Sequence, residues 1–430
     1  MRSRGERIGW LAFAAALVLP ATMVATLVVR VEEKRRGEET HLPRILHLFN
    51  DAAHRVGPGA DFFALYHAGV QLEGDGRIYS WTHDGITPPY YSFRYLPSLA
   101  LTAGRAVRLV SPWTAYLIWL ALLEGLLAAC MLVTRRLFDG GPLVPWLWAL
   151  CLAYTPLWLE LFMGQFSFAT GALVFLACVL ATSKHSRWAL LPWIVSVAIK
   201  IYPAILLPLW WRKGALWLST GLVALLALGN APGFLWLPDA WQTFKGTNFS
   251  PTWVIPPNAA QYGFSFVEQV VLVRGLGVPG HLWPTIHRVG SVVIFAVALA
   301  FALRRRGSSL AAGAAALLLA HQLTYRDVWE HHSSMVLPMG LLLLRENLAD
   351  RRVAWTIGGA LVMLALPTPF ALWDLPGADD PAWSWNLAQQ LAVPGAKVLP
   401  TLALFASALW TLRRSPAVEA DIAGQASMAA

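Results

Sequence analysis

The chain has 430 residues, 57% of them hydrophobic and only 13% charged, with a formal net charge of +9 and a mean hydropathy of +0.52. About a quarter of the residues are charged in ordinary soluble chains, and no soluble core hides this much apolar surface. A soluble multidomain enzyme, a disordered chain, a coiled coil and a secreted disulfide scaffold are therefore excluded, which leaves an all-α polytopic integral membrane protein. The positive excess does not point to nucleic acid, because Lys and Arg fall in small clusters between apolar runs, where they act as topology signals. Cys130, Cys151 and Cys178 all lie inside apolar runs without the paired spacing of a metal or redox site, so they read as packing residues.

In chain order, a basic start (Arg2, Arg4, Arg7) precedes the apolar run 8–29. It is longer than a signal-peptide core and lacks a convincing cleavage site, so a retained first span is expected. An outer loop with interfacial helices follows over 30–111, including a mildly apolar stretch at 96–110 that carries Arg105 and Arg108. Spans are expected through 112–235, with apolar runs near 112–134, 142–160, 166–183 and 215–235. Between them, 187–212 is interrupted at Lys200-Ile201-Tyr202-Pro203 and reads as a broken or re-entrant hairpin. A Trp- and Pro-rich outer loop covers 236–284. Further spans occupy 285–412, near 285–303, 308–323, 333–345, 353–368 and 394–412, and a short tail runs over 413–430. With both termini cytoplasmic and about twelve crossings, the clusters at Arg135-Arg136, Arg212-Lys213, Arg304-Arg305-Arg306, Arg351-Arg352 and Arg413-Arg414 all fall on the cytoplasmic side. All of residues 1–412 form one membrane domain in this reading. No repeated half is visible, which weighs against the common transporter folds.

Four features could carry chemistry. The first loop holds Asp61-Phe62-Phe63-Ala64-Leu65-Tyr66-His67 and later Tyr91-Ser92-Phe93-Arg94-Tyr95-Leu96-Pro97. An acid after Gly-Pro-Gly is ordinarily a helix cap, or alternatively a base. Gly164-Gln165-Phe166-Ser167 opens a span at its outer end, where Gln165 either starts the helix or binds a sugar or phosphate. Lys200 lies at membrane depth, where an ammonium costs roughly 2.5–3.5 kcal/mol, so it either snorkels or meets a partner. Tyr325-Arg326-Asp327-Val328-Trp329-Glu330-His331-His332 mixes Arg and His in a way that suits an anion. Adjacent histidines project about 100° apart on a helix and do not chelate one metal, and no His-x-x-x-His occurs, so no metal site is expected. An acid, a deep lysine and an Arg/His cluster on one side of the membrane fit a general base facing a cationic phosphate cradle.

The order of these segments resembles the family 87 glycosyltransferases, membrane enzymes of GT-C fold: Asp61-Phe62-Phe63-x-x-Tyr66, Phe93-x-Tyr95-x-Pro97, Gly164-Gln165, Lys200-x-Tyr202-Pro203, and Trp329-x-His331-His332 with Pro338 following. The likeness covers roughly 8–345. It implies transfer of a sugar, mannose being the leading candidate, from a polyprenyl-phosphate donor to a lipid or glycan acceptor on the outer face of a bacterial cell membrane. It implies Asp61 as the base, with Lys200, His331 and His332 near the donor phosphate, joined by Arg94 and Arg326. Gln165, Tyr66 and Tyr202 complete the substrate-binding set. No cofactor or metal is expected beyond the donor itself. Two departures from the family pattern are Asp327-Val328-Trp329-Glu330-His331 in place of Ser-Trp-x-His-His, and Ala260-Gln261-Tyr262, with Asn258 nearby, in place of Asn-Gln-Ser. The second leaves the acceptor open. A transporter or lipid flippase is the competing class, with its polar groups expected nearer the midplane. Another GT-C enzyme, acting on protein or lipopolysaccharide, is the second alternative.

Overall fold

A computed structural model describes residues 4–36, 57–249, 263, 282–304, 309–325, 328–367 and 386–414. Arg326, the segment around Ala260 and the tail beyond 414 lie outside the described residues. The first apolar run is two helices, α1 (Arg4–Ala16) and α2 (Val18–Arg36), rather than one. Pro20 has no N–H for the Ala16 carbonyl, which interrupts the ladder, while Leu17 N to Phe13 O at 3.2 Å and Ala21 N to Leu17 O at 3.4 Å carry the backbone across the junction.

The segment after α2 folds as α3 (Ala60–Gln71) and α4, a helical stretch over 97–107 with a π-turn at Ala100–Gly104. Next come α5 (Pro112–Leu137), α6 (Val144–Ala153), α7 (Thr155–Met163), α8 (Ser167–Ala181) and α9 (Leu190–Ile199). A 3-10 turn, Tyr202–Leu206, leads into α10 (Leu207–Arg212), α11 (Leu216–Trp236) and α12 (Ala240–Phe249). The last group is α13 (Trp283–Leu303), α14 (Leu310–Thr324), a 3-10 strip Glu330–Met335, α15 (Val336–Glu346), α16 (Arg351–Ala365), α17 (Leu387–Ala392) and α18 (Gly395–Arg414).

Among the described residues, α5, α11, α13 and α18 are each long and apolar enough to cross a membrane, and α6 with α7, bent 44° to one another, make a fifth candidate span. The protein is thus a helical membrane protein. The bend has a local cause. Pro156 has no N–H for the Leu152 carbonyl, and the Trp158 indole donates to that carbonyl instead, at 2.7 Å. At the centre, α14 (LAAGAAALLLA at its start) is buried from Leu310 to Ala320. Its small residues let neighbouring backbones approach closely, as packing in a bilayer requires. Gly171 of α8 does the same: a Cβ there would lie 2.7 Å from the Met335 backbone, so only glycine lets the 330–335 strip lie against α8.

One end of the molecule gathers the basic clusters. Arg212 donates to the Ala302 carbonyl, Arg345 to the Leu137 carbonyl, Ser309 to Glu346, and Arg414 pairs with Asp350. The ends of α5, α10, α13, α15 and α18 therefore share one face. The residues singled out for chemistry gather away from it.

Candidate active site

Helix α3 is apolar almost all round, so it is swallowed rather than laid on a surface: Phe62, Phe63, Leu65, Tyr66 and His67 are all buried. Phe63 meets Trp113 edge-on at 5.0 Å, and Phe62 lies 5.9 Å from Tyr116. Gly59, at φ 78°, is the N-cap, and its N–H donates to Phe162 O at 2.8 Å. Asp61 is therefore not the cap. It sits in the first turn, where the helix dipole favours a carboxylate. Its Oδ2 is buried, and no hydrogen-bond donor among the described residues reaches it. Burial pushes the Asp61 carboxyl up to about 6, against the opposing pull of Lys200 and then Arg94.

The turn between α7 and α8 faces this acid. Gly164 adopts φ 68°, and a Cβ there would come within 2.6 Å of Phe62 Cβ, so glycine is what lets the turn touch α3. The next residue, Gln165, accepts from Tyr95 OH at 2.8 Å and from Phe166 N at 2.8 Å, and its amide reaches His331 Nε2 at 3.5 Å. Glu160, fully buried on α7, accepts from the Phe168 N–H at the start of α8 and from Ser334 on the strip. This carboxylate, one turn before Gln165, ties three elements together.

Lys200 is the first non-helical residue after α9, in extended backbone at φ −137°, ψ 129°. Pro203 lacks the N–H that would bond the Ile199 carbonyl, so the helix ends, and Trp193 Nε1 holds the far side by donating to Pro203 O at 2.9 Å. The freed lysine donates from Nζ to Ser167 Oγ at 2.7 Å. The charges of both Glu160 and Asp61 bear on it.

An aromatic and imidazole wall completes the site. Tyr202 stacks on His321 at 4.3 Å, His321 on Tyr325 at 5.3 Å, and the His331 and His332 rings are 4.3 Å apart. Trp329 N donates to His332 Nδ1 at 2.9 Å, which fixes the His332 proton on Nε2 and so makes that nitrogen a donor. Asp61, Arg94, Gln165, Lys200, Tyr202, His331 and His332 all line one cavity of about 730 Å³, whose apolar side includes Leu159, Ile199, Ile201 and Ile205. A cationic and imidazole cluster beside an apolar wall suits a lipid-linked anion.

A sequence model described as glycosyltransferase family 87 matches residues 93–325. The chain belongs to glycosyltransferase family 87. No curated protein and no solved structure matches it. Membership makes this family 87 protein a membrane glycosyltransferase, acting between a sugar donor and an acceptor. The matched region contains Arg94, Gln165, Lys200 and Tyr202, while Asp61, His331 and His332 lie outside it.

Seven of the nine residues singled out in the sequence meet at the cavity. Tyr66 does not. Five positions after Asp61 on a helix is about 140° around, and its OH donates instead to Val110 O at 3.1 Å within an apolar cluster. Arg326 is outside the described residues. Glu160, His321, Tyr95 and Trp81 were not named as site residues from sequence, although an ionisable side chain inside the apolar run LWLELF was a signal for Glu160. His67 serves the scaffold: it pairs with Asp84 at 2.7 Å and stacks on Tyr90 at 4.3 Å. Burial alone would raise the Asp84 carboxyl, but hydrogen bonds from Thr87, His67 and Ile86 together hold it well below its usual range.

Proposed function

We propose that this family 87 glycosyltransferase is a hexosyl- or pentosyltransferase that moves a sugar, mannose first among candidates, from a polyprenyl-phosphate donor to a hydroxyl of a lipid or glycan acceptor at the outer face of a bacterial cell membrane. It has the GT-C fold with about twelve crossings and both termini cytoplasmic. The observation that carries this reading is the unsatisfied buried Oδ2 of Asp61, set in one cavity with Lys200 and the two histidines.

The reaction is a single inverting displacement. The acceptor oxygen forms a bond to the anomeric carbon as the bond from that carbon to the phosphate oxygen breaks. The acceptor proton passes to the Asp61 carboxylate. The bonding pair leaves with polyprenyl phosphate, whose new charge is met by Lys200 and by Nε2–H of His332, with Arg94 exposed nearby on the same cavity wall. A raised pKa suits a base that must take a proton at neutral pH and then release it. A phosphate that leaves into a preformed cationic cradle needs little reorganisation, which is where such donors are worth most. The apolar side of the cavity, at Leu159, Ile199 and Ile205, takes the first isoprene units. No nucleic acid, cofactor or metal takes part in this scheme.

The test is turnover in nanodiscs with a panel of polyprenyl-phosphate sugars and a membrane lipid extract, wild type beside Asp61→Asn, with products read by mass spectrometry. A glycosylated product made only by the wild type supports the scheme. Donor left intact while a labelled solute or lipid crosses the membrane would replace it with the transporter reading.

A further inference from the structure

The strip that carries His331 and His332 is held from the side opposite the cavity by a lysine that does not line it. Lys397, near the start of α18, is 2% exposed, as is Glu330, and its Nζ lies 3.0 Å from Glu330 Oε1. The same ammonium donates to the carbonyls of Leu364, at 2.8 Å, and Leu366, at the end of α16. The ammonium thus has two carbonyl acceptors and one carboxylate as its counter-charge. The two carbonyls lie at a helix C-terminus, where a cation is favoured.

Capping α16 needs only those two carbonyls. The ion pair goes to the first residue of the strip, and each following residue is tied elsewhere. Gln165 reaches His331, the Trp329 N–H holds His332, Tyr154 OH donates to Ser333 O at 3.0 Å, and Ser334 bonds Glu160. Glu330 is thus the position at which the α16–α18 pair grips the histidines. A buried ion pair adds little net stability over an apolar pair of the same size, so what this one contributes is the position it gives Glu330. Lys397 and Glu330 both fall outside the matched residues 93–325.

We infer that Lys397 is a positioning residue for the donor-phosphate site, acting through Glu330 to hold the His331/His332 strip in register with Lys200. This rests on the donor reading proposed above. It extends the functional unit to α18, which is distant from the cavity in sequence.

The test compares Lys397→Met, Lys397→Arg and, as a control, Thr411→Val. Thr411 lies near the other end of α18 and bonds Asn347 at 2.8 Å, so its loss loosens the same helix away from the site. Polyprenyl phosphate, the leaving group itself, is titrated against the intrinsic fluorescence of each full-length variant, with Tm recorded beside it. Turnover then gives KM for donor and acceptor separately. Lys397→Met is expected to weaken polyprenyl-phosphate binding and raise donor KM about tenfold, with acceptor KM unchanged. Lys397→Arg, which keeps the charge and the donors, should recover most of that loss. Thr411→Val should lower Tm and leave binding alone. Wild-type binding in Lys397→Met, or an equal loss in Thr411→Val, reduces Lys397 to a packing residue while the proposed function stands. A wild type that binds no polyprenyl phosphate overturns both.

Discussion

Lys200 Nζ donates to Ser167 Oγ over 2.7 Å, joining the break after α9 to the first turn of α8. That bond brings the deep lysine of a broken helix beside the turn that carries Gln165 and beside Glu160. The lysine is held by a neutral hydroxyl, with the charges of Glu160 and Asp61 bearing on it, and is able to turn to an incoming phosphate. Replacing it with Met removes a cation from the point where leaving-group charge develops. A fall in kcat of about 10²-fold is expected, comparable to losing an oxyanion donor, with Ser167→Ala much milder. Single-turnover rates with a saturating donor decide it, and equal losses from the two variants would place the effect in folding.

Asp61→Asn keeps the size and the buried contacts but loses the proton acceptor. Transfer should drop by about 10²–10⁴-fold while polyprenyl-phosphate binding stays within a few-fold of wild type. Near-normal turnover would remove Asp61 from the base role.

The same residue sets a pH profile. The base is the carboxylate form, and burial lifts its pKa to about 6, so the active form is present above that pH and lost as pH falls through it. A plot of log kcat/KM should climb with a slope near one below about pH 6 and flatten above. A flat profile from pH 5 to 8 would show that Asp61 is not the titrating group in catalysis.

Glu160→Gln tests the joint between α7, α8 and the strip. The amide can still accept from one partner, but it turns an N–H toward the other, and losing a hydrogen bond to a buried charge costs about 1.5–3 kcal/mol. Tm should fall, and kcat/KM should fall with it, since Gln165 and the histidines move relative to Lys200. An unchanged Tm would mean that the joint bears no load.

Gly164→Ala is the steric counterpart. Its φ of 68° is costly for an L residue, about 1–2 kcal/mol, and the new Cβ meets Phe62 at 2.6 Å. Helix α3 must then shift, taking Asp61 with it. Expression and Tm should decline more than for Gly125→Ala on α5, where a Cβ meets nothing within 4 Å.

Much of the site was legible because membrane sequence makes polar residues conspicuous. Lys200 stands out in VAIKIYPAILLP, and its proline says where the helix must end. Glu160 stands out for the same reason, yet periodicity alone does not say that a carboxylate in one run faces a lysine in another. Tyr66 shows the reverse difficulty: it shares the Asp61 segment, but helical geometry turns it away from the cavity, and only the packing of α3 against α5 fixes which face is which.

The sequence by itself determined that this is a helical membrane protein, that one helix breaks at Lys200-Ile201-Tyr202-Pro203, and that the basic residues cluster between apolar runs; the breaks after Ala16 and after Ala153 came only with the structure. Composition, proline chemistry and charge act locally along the chain, so they can be read in order. Only the tertiary structure decided that the α3 acid, the Lys200 break and the 330–335 strip meet around one cavity, and that Lys397 grips that strip from behind. Those pairings are set by close approaches such as Gly171 against Met335 and Gly164 against Phe62. Such approaches depend on shape between residues far apart in sequence, which no local pattern encodes.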